Sequence, residues 1–169
     1  WKVFADNYLD GGYHIPHRHP SLDAQLDMST YRTEVFERFS VQTSGAGRGD
    51  ARSACDPSER IAGGAFYAYL YPNFMINRYG PALDTNLVLP LGPDRCRVIF
   101  DFLFEEGLDP DWIQASLDQS DLTQQEDIDV SEAVQVGLHA RSYDRGRYAG
   151  PEVALHHFHR LLSADLLGG

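Results

Sequence analysis

Cysteine is nearly absent. The 169 residues hold two, Cys55 and Cys96, and neither stands in a Cys-x-x-Cys or Cys-x-His arrangement. Thiolates therefore supply no zinc framework and no iron–sulfur cluster. Two isolated cysteines fit a reducing compartment, and a cytoplasmic location is expected. Basic residues are scarce too: 14 Lys and Arg stand against 25 Asp and Glu, a net charge of −11. That balance argues against nucleic acid, which needs clustered Lys and Arg, and against an anionic membrane surface. No apolar run reaches the roughly 18–20 residues of a transmembrane helix, and no basic-then-apolar signal segment opens the chain. The chain starts at Trp1 and not at a methionine; it is expected to be a piece of a longer protein.

What is present is enough for a core. Apolar residues make up 43% and aromatics 12%, and the length suits a single domain. The densest chemistry lies in Asp6-Asn7-Tyr8-Leu9-Asp10-Gly11-Gly12-Tyr13-His14-Ile15-Pro16-His17-Arg18-His19. Three histidines and two carboxylates fall within this run. A second segment, Gln125-Glu126-Asp127-Ile128, lies more than a hundred residues on. We read the two as halves of one mononuclear metal site. Two neutral imidazoles and one carboxylate leave open coordination positions, the donor set of non-heme iron oxygenases. His14 and His19 are five apart, about 140° on an ideal helix. Both can face one metal only if the helix breaks, and Pro16 between them is expected to break it. Asp10 stands four residues before His14, where it can accept the imidazole N–H and fix the ring. His17 is a third candidate ligand, read as a bystander. Spacing alone leaves the histidines open to a surface role. Asp127 is equally open to a dipole role at a helix start, and Glu126 competes with it.

Apolar periodicity gives an antiparallel sheet followed by helices, an α+β fold. Residues 1–20 read as a short helix and a turn. Residues 31–42 read as one strand with an interruption at Glu37. Residues 43–62 read as a Gly/Ser-rich loop. Residues 64–79 carry one or two strands. Residues 84–91 and 95–105 form a hairpin turning at Leu91-Gly92-Pro93-Asp94. Helices are expected to start at Asp109-Pro110-Asp111, to run over 126–140, and to start again at Gly150-Pro151-Glu152.

The run from Trp1 to His14, with His19 after four intervening residues, resembles the catalytic-domain motif of Rieske non-heme iron oxygenases, nearest to the choline monooxygenase-like branch. The likeness continues through Tyr71–Gly80, Asp84–Gly92, Glu126-Asp127, Glu132-Ala-Val-Gln135, Gly137-Leu138, Tyr143–Tyr148 and His156-His157-Phe158-His159. It covers nearly the whole chain. The resemblance implies a helix-grip (START-like) fold, with Fe(II) held by His14, His19 and Asp127. It also implies catalytic roles for Asp10 and Asn7. Its bridging carboxylate usually stands three residues before the first histidine; Asp10 stands four before, and Asp6 is the fallback. The resemblance further implies a homotrimer, a small organic substrate with O2, and a reductase, with or without a ferredoxin, as electron donor. The family's Cys-x-His and Cys-x-x-His pairs are missing, so the [2Fe-2S] Rieske cluster is expected in the full-length protein and not in residues 1–169. The implied reaction is hydroxylation or N-demethylation, with a quaternary ammonium substrate favoured over aromatic-ring dihydroxylation.

Two other readings stand beside this one. A helix-grip domain can simply bind a small ligand, and would have no need of the His14/His19/Asp127 set. A metal can instead activate water for hydrolysis. His156, His157 and His159 are read as surface or packing residues. Tyr67, Tyr69 and Tyr71 fall on one strand face and could bind a cationic substrate through their rings.

Overall fold

The structure is a computed structural model that describes residues 1–46 and 64–168. The loop expected after residue 46, with Cys55, lies outside the described residues. Three short helices open the chain: α1 (Lys2–Tyr8), α2 (Ile15–Arg18) and α3 (Pro20–Gln25). Six strands follow: β1 (Leu26–Val35), β2 (Phe39–Ala46), β3 (Ala65–Leu70), β4 (Phe74–Tyr79), β5 (Ala82–Gly92) and β6 (Arg95–Phe104). They form one antiparallel meander in the order β1-β2-β3-β4-β5-β6. Two helices close the chain, α4 (Pro110–Leu138) and α5 (Val153–Leu167). This is the α+β sheet with a terminal helix that the sequence suggests. Among the described residues no helix is long and apolar enough to cross a membrane.

Several elements differ from expectation. The single strand over 31–42 is a hairpin: the chain turns at Phe36-Glu37-Arg38, and Glu37 lies in that turn. Residues 43–46 extend β2 into the stretch read as loop. Residues 64–79, expected to carry one or two strands, carry two, joined through Tyr71-Pro72-Asn73. The helices expected from 109 and over 126–140 are one 29-residue helix, α4. Asp109 caps it, its side chain accepting from the Asp111 amide at 2.9 Å. No proline or glycine interrupts the chain from Asp111 to Val136, so nothing stops propagation.

The two sheet faces divide the chemistry. One row of cross-strand neighbours runs Thr33, Gln42, Tyr67, Asn77, Asp84, Phe102. From Gln42 to Asp84 this row is buried, and it faces the helices. The other face carries Phe39, Leu70, Phe74, Leu87 and Ile99 in a row. Inward-facing Ser40, Gln42, Ser44, Asn77, Asp84 and Asn86 are buried although polar; a face built only for packing would be apolar there. Two apolar clusters flank this polar centre. Ala5, Leu9, Tyr69, Met75, Val88, Ala154, Leu155 and Phe158 fill one; Ile15, Leu26, Ala65 and Tyr67 fill the other. Tyr8 packs against both. Burial, reinforced by Tyr31 and Asp84, raises its phenol pKa well above the usual value. The neutral hydroxyl donates to Asn77 Oδ1 at 2.7 Å.

Candidate metal centre

The segment after α1 is shaped by two glycines. Gly11 and Gly12 have φ of +74° and +78°, values that L side chains adopt at a cost. A Cβ on Gly11 would lie 2.5 Å from the Pro151 carbonyl oxygen. Asp10 fastens this turn: its Oδ1 accepts from the Gly12 amide at 2.9 Å, and its Oδ2 from the His14 amide at 2.8 Å. His14 caps the N-terminus of α2 and His19 follows its last turn. The histidines thus bracket a one-turn helix. Pro16 sits in the first turn of that helix and starts it, where a break was expected. The bend is at His19 itself (φ −121°, ψ 69°), immediately before Pro20.

Each imidazole is held from behind by a carboxylate. His14 Nδ1 lies 2.6 Å from Asp10 Oδ2, and His19 Nδ1 lies 2.6 Å from Glu126 Oε2. A carboxylate only accepts, so each Nδ1 carries the proton and each Nε2 presents its lone pair. The rings meet edge to face, with centroids 5.0 Å apart. His19 is 1% exposed. Its Nε2 is buried with no hydrogen-bond partner, yet lies 3.1 Å from Asp127 Oδ1. The two are not aligned as a hydrogen bond, and a lone pair facing a carboxylate oxygen at this distance is repelled unless a proton or a cation lies between them. Burial lowers the His19 pKa, but Asp127 and Glu126 together outweigh burial and raise it above the ordinary value. Asp127 is oriented in turn by Asn7, whose Nδ2 donates to Oδ1 at 2.6 Å.

One donor atom from each of His14, His19 and Asp127 lies within 4.8 Å of the others. Among the described residues this is the one such group of three or more His, Cys, Asp or Glu. It fits a divalent metal on two counts. An orphaned buried imidazole nitrogen is uncommon unless something completes it. Two ligands each about 2.1 Å from a metal, at right angles, lie about 3.0 Å apart, close to the spacing of His19 Nε2 and Asp127 Oδ1. A cavity of about 90 Å³ opens onto the group.

A family described as the ring hydroxylating alpha subunit (catalytic domain) matches residues 1–167. The chain belongs to this family. Choline monooxygenase of Arabidopsis thaliana is 51% identical over 168 residues, covering 98% of this chain and 39% of that protein. Choline monooxygenase of Spinacia oleracea is 38% identical over 169 residues, 98% of this chain and 38% of its own. Putrescine 2-hydroxylase of Ralstonia nicotianae is 27% identical over 180 residues, 94% of this chain and 49% of its own. The chain thus spans about two-fifths to one-half of the length of these relatives. In fold it is similar to the quaternary ammonium Rieske monooxygenase CntA, with a TM-score of 0.78 at 23% identity, over 96% of this chain and 46% of that one. It is also similar to naphthalene 1,2-dioxygenase from Rhodococcus sp., with a TM-score of 0.65 at 16% identity, over 98% and 54%.

Within the domain the named residues separate by place. His14, His19, Asp127, Asp10 and Asn7 converge on the cavity. Glu126 lies behind His19, on the far side of the ring from Asp127. Asp127 sits in the middle of α4, so the helix-start role for it falls away. Asp6 points elsewhere and pairs with His159 Nε2 at 2.7 Å. His17 is exposed and meets Tyr13 edge to face, with ring centroids 5.9 Å apart. His156 lies against Tyr148. Of the three strand tyrosines only Tyr67 lines the cavity; Tyr69 packs on Phe158, and Tyr71 lies under Arg38 and beside Phe158. Tyr8, Tyr31 and Tyr79 line it instead. In sequence Tyr31 stands only as a strand residue, because its approach to Gly12 joins segments that share no local pattern.

Proposed function

We propose that this chain is the catalytic domain of a Rieske-type oxygenase that hydroxylates or N-demethylates a small substrate, with His14, His19 and Asp127 holding Fe(II). The observation that carries the reading is the buried, unpartnered Nε2 of His19 facing a carboxylate across a gap of metal-ligand size. When bound there, iron supplies O2 activation at coordination positions the protein leaves open. The protein's part is positional. Asp10 and Glu126 orient the two imidazoles and make them better donors. Asn7 fixes the Asp127 carboxylate. Asp10 is also the carboxylate best placed to link this centre to an electron-delivering partner, since it is buried and bonded directly to a ligand histidine.

The substrate class is taken to be a quaternary ammonium compound. Choline monooxygenases support this by sequence, and the fold relative CntA acts on quaternary ammonium compounds and is described with inter-subunit electron transfer. The [2Fe-2S] cluster, a reductase with or without a ferredoxin, a homotrimeric assembly and a cytoplasmic location belong to the same proposal, for the longer protein. Metal analysis of the anaerobically purified chain tests it. One iron per chain, lost in His14→Ala and in Asp127→Ala, is expected. Iron retained in Asp127→Ala would move the carboxylate ligand elsewhere, and a wild-type chain that takes up no Fe(II) would overturn the reading in favour of a ligand-binding domain.

A further inference from the structure

The cavity contains a polar group that the metal set does not use. Gln42 faces inward from β2 and is 2% exposed. Its Nε2 donates to the Tyr8 backbone carbonyl at 2.9 Å. A carbonyl only accepts, so the amide cannot be reversed without setting two acceptors against each other. Oε1 is therefore fixed on the side away from Tyr8. It is buried and has no hydrogen-bond partner, and Gln42 lines the same cavity as His14, His19 and Asp127. Buried acceptors are seldom left in this state. Around the cavity stand the rings of Tyr8, Tyr31, Tyr67 and Tyr79. Tyr67 meets Tyr8 and Tyr79 edge-on, with centroids at 6.5 and 5.6 Å. Among the described residues no Lys or Arg lines it. The lining thus offers a fixed acceptor beside electron-rich ring faces, which suits a cation that also carries a hydrogen-bond donor.

We propose that Gln42 orients the substrate, its Oε1 accepting a hydrogen bond from a hydroxyl group on a small cation whose charged end rests against the tyrosine rings. This deepens the oxygenase reading above and rests on it. The hydrogen bond fixes which end of the molecule enters first, and so which carbon faces the metal ligands. A carboxylate in place of the hydroxyl would meet a lone pair at Oε1 and bind more weakly.

Calorimetric titration of the Fe(II)-loaded, anaerobic protein tests this with two probes of one shape, choline and propyltrimethylammonium. The second keeps the cation and replaces the hydroxyl with a methyl group. Wild type is expected to bind choline about fivefold to tenfold more tightly, the worth of one neutral hydrogen bond. Gln42→Leu should lose that preference while keeping its iron and its affinity for propyltrimethylammonium. A purely structural role for Gln42 would weaken both probes alike. Because Gln42→Leu also removes the donor to Tyr8 and could disturb α1, the wild-type preference is a second test that needs no variant. Equal wild-type affinities, or an undiminished choline preference in Gln42→Leu, would overturn the role given to Gln42 while leaving the iron site intact. Binding of neither probe by iron-loaded protein would overturn the substrate class. Failure of wild type to take up iron would strike the oxygenase reading itself, and this inference with it.

Discussion

At the residue scale, the two carboxylates adjacent in sequence should behave differently. Asp127 faces the Nε2 side of His19 and Glu126 the Nδ1 side. Removing a group that orients a metal ligand costs about 10–100-fold in affinity, whereas removing a ligand breaks the site. Glu126→Ala is therefore expected to retain one iron per chain with affinity lowered by that factor, and Asn7→Ala to behave similarly. Fe(II) titration against a competing chelator would separate them from Asp127→Ala. If Glu126→Ala lost iron as completely as Asp127→Ala, the two roles would have to be exchanged. The pH dependence follows from the same ring. The folded-state pKa of His19 lies above the ordinary 6.5. In the metal-free protein its pairing therefore contributes stability that is fully present below about pH 6.5 and is lost as pH rises through the folded-state value. Metal requires the neutral ring, so Fe(II) affinity should rise with pH across the same window, by up to about tenfold per unit. Affinity flat from about pH 6 to about pH 8 would remove His19 from the ligand set.

At the scale of elements, the glycine pair holds the site in register. Gly11 in the left-handed region meets the Pro151 carbonyl, a backbone atom that cannot swing aside. Gly11→Ala should cost about 1–3 kcal/mol in backbone strain and more from the clash, a fall in Tm of about 5 °C or more for a chain of this size. Gly137, near the end of α4, has nothing within 4 Å of an added Cβ, and Gly137→Ala should stabilise by about 0.5–1 kcal/mol. Thermal melts of the two variants check both signs. In sequence the Gly-Gly pair shows only as a weak point for helix; its contact with residue 151 does not show there, because close approach between distant segments leaves no local pattern. The β5–β6 hairpin was legible because Gly92-Pro93-Asp94 and strict alternation point the same way. The β1–β2 hairpin was missed because its turn at Phe36-Glu37-Arg38 lacks Gly, Pro or Asn, and because Gln42 and Ser44 turn inward toward the cavity. These buried polar side chains invert the polarity from which strand faces are read. The proposed ligand set is readable as residue types and spacing only at its N-terminal half. Asp127 lies within an unbroken helix where Glu126 looks equivalent, and only the packing of α4 against α1 distinguishes them.

At the scale of the whole molecule, the same inversion leaves apolar side chains facing out. The cavity lined by His14, His19 and Asp127 occupies the helix-covered face of the sheet, so the strands place Phe39, Leu70 and Ile99 on the other, each about two-fifths exposed. Among the described residues no strand pairs with the outer edge of β6, the last in the sheet. From Val98 to Phe104 this strand has one charged residue, Asp101, and no proline; Ile99, Phe102 and Leu103 are 40%, 39% and 55% exposed. Edges of this length are normally blunted by charge, proline or a covering segment. A net charge of −11 opposes close approach of two copies, but at physiological salt it is screened beyond about 8 Å, so it does not protect an edge once strands meet. The chain as given should therefore self-associate as its concentration rises, most strongly in salt. Ile99→Lys with Leu103→Lys should suppress this, and because both side chains face away from the cavity, iron stoichiometry should be unchanged. Sedimentation velocity across a concentration series decides the matter: association that persists in the double variant would place the contact elsewhere, while a wild-type chain that stays monomeric in high salt would mean that twist and the inward phenylalanines are enough to close the edge.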